Sequence, residues 1–337
     1  MTRTRLAIRT VHDDAALDKL GPDSGGAGQP PGEAKSGHWH SGTSPSSLGE
    51  HSGPAPSTAG SVVVGIDGSP TSRAALRWAT REAEHLGTPL TLCHTHSVIG
   101  LAGTRRVPAS LSEDVLDRAV ATASGHLGPE RVGAILGYGD PARVLAQVSK
   151  DARLLSIGTH GYFAHGASLF EPLSMRIISS APCPVVVHPV LAGPSGPFAG
   201  SVVAGVDGSA TARAALEFAA AHALAHGLPL VAVHIAQPAD PWAGNPLLDE
   251  PAPGGADAEE LLAAELALAA LAGTEVTPAS FTGRAVPGLL RAAAGAVLLV
   301  IGARGSGSGL LGHLGSVAQH MIGNATCPVA VIPGPMA

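Results

Sequence analysis

Aromatic side chains make up only 3% of the 337 residues, and there are only three cysteines. With so few rings, the core must be filled by Ala, Val and Leu, and a hydrophobic content of 45% suffices for that. Cys93, Cys183 and Cys327 form no CxxC pair and no zinc-type spacing. Each lies in or beside an apolar strand-like run, so they read as buried, reduced thiols of a cytoplasmic protein rather than disulfide partners. Positive charge is also scarce, with 20 Lys and Arg against 26 Asp and Glu, a net charge of -6. That balance offers no general attraction to nucleic acid or to an anionic membrane. No apolar run is long enough to cross a bilayer as a helix. The opening "MTRTRLAIRTVHDDAALDKL" has arginines but lacks the continuous apolar segment of a signal peptide.

Glycine and proline, by contrast, are abundant, at 44 and 28 residues. Residues 21–60 are dominated by Gly, Pro, Ser and His, a composition that buries too little apolar surface to offset the ordering of the chain. Residues 1–60 are therefore expected to be a disordered tail. Its histidines, His38, His40 and His51, are flexible ligands without supporting contacts and make a poor metal site. No metal-ligating set is singled out elsewhere.

From residue 61 one unit is written twice. "SVVVGIDGSPTSRAALRWA" at Ser61 returns as "SVVAGVDGSATARAALEFA" at Ser201, 140 residues later. "LLSIGTHG" (154–161) returns as "LLVIGARG" (298–305), and "APCPVVV" (181–187) as "ATCPVAV" (325–331), both 144 residues later. Two copies mean a duplicated domain, not a solenoid. The organisation is a first domain over 61–190, a linker over 191–200 and a second domain over 201–337.

Each copy alternates strands and helices. In the second, "SVVAGV" is a strand, "DGS" offers Asp or Ser as a helix cap, and 212–224 carries apolar residues at helical spacing. Gly227 ends that helix, and "LPLVAVHI" is the next strand. The Pro-rich stretch 239–256 reads as a loop, followed by the helix "AEELLAAELALAALAG", a strand over 275–281, a helix over 286–294, the strand "AVLLVI", a helix from about Ser316 and the strand "PVAVI". Fully apolar strands between helices predict an α/β fold whose parallel sheet is covered on both faces, with ligands at the carboxyl ends of its strands.

At that edge lies "GARGSGSGLLGHLGSV", residues 302–317. Its window Gly307 to Gly312 satisfies GxGxxG, but a dinucleotide site needs that turn in the first strand–helix unit with an acid about twenty residues on. Here the turn is in the last unit, and no acidic residue follows Gly302. The alternative spacing is Gly302, Gly305, nine residues, then Gly315-Ser316. Gly302 and Gly305 would let the backbone pass close to a ligand, and Gly315-Ser316 opens a helix whose N–H groups, hydroxyl and dipole favour phosphate oxygens. That is a triphosphate cradle without a Walker lysine.

The ordered set "VVAGVDGS", "LVAVHI", "GARGSGSGLLGHLGS" and "CPVAVI", with its counterpart in the first copy, resembles the universal stress protein family in its tandem, ATP-binding form. The resemblance implies two open, doubly wound, five-stranded parallel sheets of order 3-2-1-4-5, an adenine nucleotide alpha hydrolase-like fold. It also implies an internal pseudo-dimer through antiparallel last strands, with a homodimer as a further option. It places Gly205, Val206 and Asp207 beside the nucleoside, Ile235 against adenine, Ile301, Gly302, Arg304 and Gly305 along ribose and phosphates, and Gly315, Ser316 and Val317 at the triphosphate end. The cofactor implied is ATP, with Mg2+ optional, and Asp207 is equally a helix cap or a ligand.

The first copy keeps Asp67, Gly158 and Gly161, a weaker or degenerate second site. At the 144-residue offset, however, Glu171 replaces Gly315, Pro172 replaces Ser316 and His160 replaces Arg304. Proline lacks one backbone donor and the hydroxyl, and a carboxylate repels phosphate, so ATP is expected mainly in the second domain. Asp140 reads as a helix cap, and His94 and His234, which recur at one strand position, as structural. With no acid in the glycine loop, an ATP-dependent stress-response regulator with a protein partner is favoured. The alternatives are a slow ATPase or self-phosphorylation on Ser306 or Ser308, and a nucleotide-independent interaction scaffold.

Overall fold

The computed structural model describes residues 8–12, 58–96, 109–159, 172–190, 193, 195–237, 252–271, 273–305 and 314–334. After β1 (Ile8–His12), the first copy comprises β2 (Val62–Gly65), α1 (Pro70–His85), β3 (Leu90–His96), α2 (Ala109–Leu127), β4 (Val132–Tyr138), α3 (Pro141–Val148), β5 (Leu154–Gly158), α4 (Leu173–Ser180) and β6 (Val185–His188). The second comprises β7 (Val202–Gly205), α5 (Ala210–His226), β8 (Leu230–Ala236), β9 (Ala252–Pro253), α6 (Ala256–Leu268), β10 (Val276–Thr282), α7 (Ala285–Ala292), β11 (Leu298–Gly302), α8 (Ser316–Asn324) and β12 (Val329–Ile332).

Local chemistry sets the helix ends. Ser69 and Ser209 accept the N–H of Ser72 and Ala212 at the starts of α1 and α5, and Asp140 accepts those of Ala142 and Arg143 at the start of α3. The choice left open between Asp207 and Ser209 thus falls to Ser209. At the far end of α5, Gly227 closes the helix in the left-handed region, φ 62°.

The strands form one 12-stranded sheet in the order β1-β4-β3-β2-β5-β6-β12-β11-β7-β8-β10-β9. Counted within each copy, the five repeated strands lie in the order 3-2-1-4-5, all parallel. The copies meet where β6 and β12 pair antiparallel, Val186 opposite Ala330. Because successive side chains leave opposite faces of a strand, Val62, Val64, Val202 and Ala204 enter one core layer under α1, α2, α5 and α6. Val63, Val203 and the three cysteines enter the other, under α3, α4, α7 and α8. Burial pushes the Cys93 thiol up to about 12 and the Cys183 and Cys327 thiols to about 11, so all three are weak nucleophiles.

One expectation is corrected at the amino terminus. Ile8–His12, placed in a disordered tail by composition, forms β1 and pairs parallel with β4, from Ile8 opposite Ala134 to His12 opposite Tyr138. The strand covers what would be an open edge, and Ile8 and Val11 pack on the two core layers. Most of the rest of residues 1–60, including the three tail histidines, lies outside the described residues. The loop expected over 239–256 contains the short β9, antiparallel to β10.

Candidate functional site

The carboxyl ends of β7, β8 and β11 and the start of α8 gather the expected residues at one edge of the second copy. Asp207 follows β7, and its Oδ1 accepts the Ser209 N–H at 3.0 Å. It therefore braces the turn that presents the helix cap. Behind it, the His234 Nδ1–H donates to the Val206 carbonyl at 2.7 Å. The first copy repeats both bonds, from Ser69 N–H to Asp67 at 2.9 Å and from His94 to the Ile66 carbonyl at 2.6 Å. Burial pushes the His94 imidazole down, only partly offset by the Ile66 carbonyl and the Asp67 charge, as suits a neutral ring that holds a turn.

The glycine loop is tied at its base. Thr211 Oγ1 donates to the Arg304 carbonyl, the Ala303 N–H to the Ile332 carbonyl at 2.8 Å, and the Gly315 N–H to the Ala303 carbonyl at 2.8 Å. The last bond brings the start of α8 back to the end of β11. Residues 306–313, with Ser306 and Ser308, lie outside the described residues, as do His160, Gly161 and Glu171 in the first copy.

Two glycines have a different reason from the one read in the spacing. A Cβ on Gly302 would stand 2.7 Å from Thr211 Oγ1 and 2.9 Å from the Thr211 carbonyl carbon, and one on Gly305 would stand 2.6 Å from Asp207 Oδ2. What passes so close is the protein's own turn into α5. Gly158 in the first copy likewise lies 2.9 Å, from its Cβ position, from the Ser72 amide. Gly315 differs, since a Cβ there meets nothing closer than 3.4 Å. Its smallness is therefore spare as far as the fold is concerned.

Gly205 lies under Ile301, and the Val206, Ile235 and Ile301 side chains are core residues. Ile235 is covered by Gly288 of α7, whose Cβ position is 2.9 Å from its Cδ1. Arg304 is exposed, with Nη2 3.5 Å from the Cβ position of Gly334, beyond β12. Ser316 is exposed and Val317 half-buried at the start of α8, where the N–H groups of the first turn have no intrahelical acceptor.

The same edge of the first copy carries different charge. Asp140 pairs with Arg176 of α4 at 2.5 Å, and α4 begins with Pro172 as its cap. At the 144-residue offset the second copy has Arg284 and His320 in place of Asp140 and Arg176. Burial raises the Asp140 carboxyl, but the Arg176 guanidinium and the two capped amides outweigh it and leave the acid below its ordinary value. Sequence reasoning found the cap but missed the pair, which needs α3 and α4 side by side.

The family model described as the universal stress protein family matches residues 59–189 and 200–333, most of the chain and both copies. The chain belongs to the universal stress protein family. Universal stress protein Rv2623 of Mycobacterium tuberculosis is 32% identical over 289 residues, covering 80% of this chain and 95% of that one. Universal stress protein Rv1996 of the same species is 27% identical over 303 residues, covering 80% and 94%. Among solved structures, a universal stress protein from Archaeoglobus fulgidus superposes with a TM-score of 0.58 at 18% identity, covering 81% of this chain and 96% of that chain. The tandem form is thus shared over nearly the whole length of these proteins. Among the described residues of this universal stress protein, no helix is long and apolar enough to cross a membrane.

Away from the loop, near the join of the copies, His188 is buried beside Trp78 and bonded to Ser156 Oγ at 2.9 Å. Burial, with the Arg77 charge, pushes its imidazole from the ordinary 6.5 down to about 3. Between those values the unfolded chain binds a proton that the folded chain refuses. This contribution is therefore complete above pH 6.5 and falls by about 1.4 kcal/mol per pH unit on acidification toward pH 3. Urea unfolding between pH 7 and pH 5 should show that decline, and His188→Gln should flatten its slope. An unchanged slope in the variant would contradict the assignment.

Proposed function

We propose that this universal stress protein binds ATP in its C-terminal copy and acts as a nucleotide-dependent regulator in the stress response. The observation that carries the reading is the opening of α8 by Gly315-Ser316 at the carboxyl edge of the sheet. There the first-turn amides, an exposed hydroxyl and the arginines at the two neighbouring turns, Arg284 and Arg304, offer donors and positive charge. Gly205, Val206 and Ile235 would flank the nucleoside mainly through their backbone, since the two apolar side chains are engaged in the core. The strand order 3-2-1-4-5 supports the adenine nucleotide alpha hydrolase-like reading of each copy.

A regulator is favoured over an ATPase because Asp207, the acid nearest the loop, is held by the Ser209 N–H and lies over Gly305. Such a carboxylate is a turn brace and a candidate Mg2+ contact rather than a base positioned on water. The first copy, with Pro172 where Ser316 stands and Asp140 and Glu171 for charge, is read as a weak site at Asp67, Gly158 and Gly161.

Calorimetric titration of the full chain with ATP and Mg2+ tests this. One site per chain is expected. Two equivalent sites would overturn the asymmetry, and the absence of both heat and a thermal shift at millimolar ATP would replace the reading with that of an interaction scaffold.

A further inference from the structure

The internal two-fold relation of the copies brings equivalent positions face to face where α1 and α5 cross. Val186 and Ala330 pair across the strands at the 144-residue offset, and on the helices above them Glu82 meets His222, its equivalent at the 140-residue offset. In a dimer of identical copies such positions would hold like residues. Here duplication has let them diverge into an acid facing an imidazole. Beside them His85 bonds the carbonyl of its own equivalent, Ala225, and its ring stacks on His226 with centroids 4.0 Å apart.

We propose that Glu82, His222 and His226 form a binding site for one divalent transition-metal ion of the zinc type, clamping the two domains together. His222 and His226 stand four residues apart on α5, the spacing that puts two imidazoles on one helix face. Glu82 comes from the other domain with each oxygen turned to one of them: Oε1 lies 3.4 Å from His222 Nδ1 and Oε2 lies 2.8 Å from His226 Nε2. One ligand atom from each residue lies within 4.8 Å of the others. Ligands held at ~2.1 Å around a tetrahedral ion sit about 3.4 Å apart, so small side-chain shifts close the shell.

Two imidazoles and a carboxylate suit zinc, cobalt or nickel far better than magnesium or calcium, which prefer an all-oxygen shell. The side chains of Glu82 and His222 are 4% and 5% exposed, whereas that of His226 is 20% exposed and marks the way in. Trp78 and Phe218, themselves equivalent positions, stack near the His222 ring at interplanar angles of 17° and 10° and hold its plane. A cleft of about 230 Å³ bordered by Glu82, His222, Phe218, Pro184 and Arg153 reaches the cluster and has room for a water as fourth ligand.

The test uses the full chain, stripped with chelator, given zinc and desalted, with metal content and melting temperature as readouts. One zinc per chain is expected, with a rise in Tm of several degrees and no comparable rise with Mg2+. Glu82→Gln and His226→Gln should each lower zinc affinity at least ~10-fold, since each removes one of three protein ligands. A variant with His38, His40 and His51 all changed to Ala should bind as before. His226→Gln lies at the accessible rim, so the test survives if Glu82→Gln fails to fold. The proposal is overturned if the chain retains no zinc and shows no shift, if either ligand variant binds like the parent, if the tail variant loses the metal, or if Mg2+ produces an equal shift.

Discussion

Gly315→Glu is expected to weaken ATP binding by about 100-fold or more while the fold remains intact. The second half of that statement rests on space. Gly315 has φ −63° and ψ 150°, which any residue adopts, and a Cβ there makes only ordinary contacts with Ala303 and Arg304. The first half rests on charge, because the new carboxylate would stand at the dipole-positive end of α8, among the donors offered to the phosphates. Losing one or two charge-assisted hydrogen bonds at ~1.5–3 kcal/mol each corresponds to roughly one to four decades in affinity. The substitution also recreates the first copy, which has Glu171 at this position. Gly315→Ala serves as the control and should bind ATP nearly as the parent does. Equal affinities for the glutamate and alanine variants, measured by calorimetry, would show that the phosphates lie elsewhere.

Val186→Asp is expected to cost about 4 kcal/mol or more, enough to unfold a domain of ordinary stability. Val186 is fully buried and sits between Ser156 on β5 and Ala330 on β12, at the seam of the two copies. A carboxylate there would enter an apolar core layer beside the buried His188, two residues on along the same strand, and must either stay charged in that setting or take up a proton. Val190→Asp, four residues on at a position 61% exposed, should change stability by no more than ~0.5 kcal/mol. Urea unfolding of both variants measures the difference. Similar midpoints would mean that the join of the copies contributes little to the stability of either.

Glycine placement was legible in the chain, but its reason was not. The spacing Gly302, Gly305, Gly315 brackets the connection from β11 to α8, yet two of these three positions are small because Thr211 and Asp207 of the same chain crowd them. Nothing in a string of residues separates close approach by a ligand from close approach by a helix ninety residues away. The Asp140 cap was easier, because it acts on amides two and three residues ahead, whereas between Asp207 and Ser209 only the fold chose Ser209. The strand β1 was missed because an edge strand needs few apolar residues and its composition blends into the tail around it.

By itself, the sequence determined the duplication, the alternation of strand and helix, the parallel sheet, the family and the different residues that the two copies carry in the loop after their fourth repeated strand. These follow from hydrophobic period, from turn residues acting over a few positions and from comparing one copy with the other. The tertiary structure alone decided that Glu82, His222 and His226 meet, that Arg176 closes on Asp140 and that His188 loses its proton. The first depends on the two copies meeting where β6 pairs with β12, the others on which elements pack side by side within the first copy, and no local spacing carries that information.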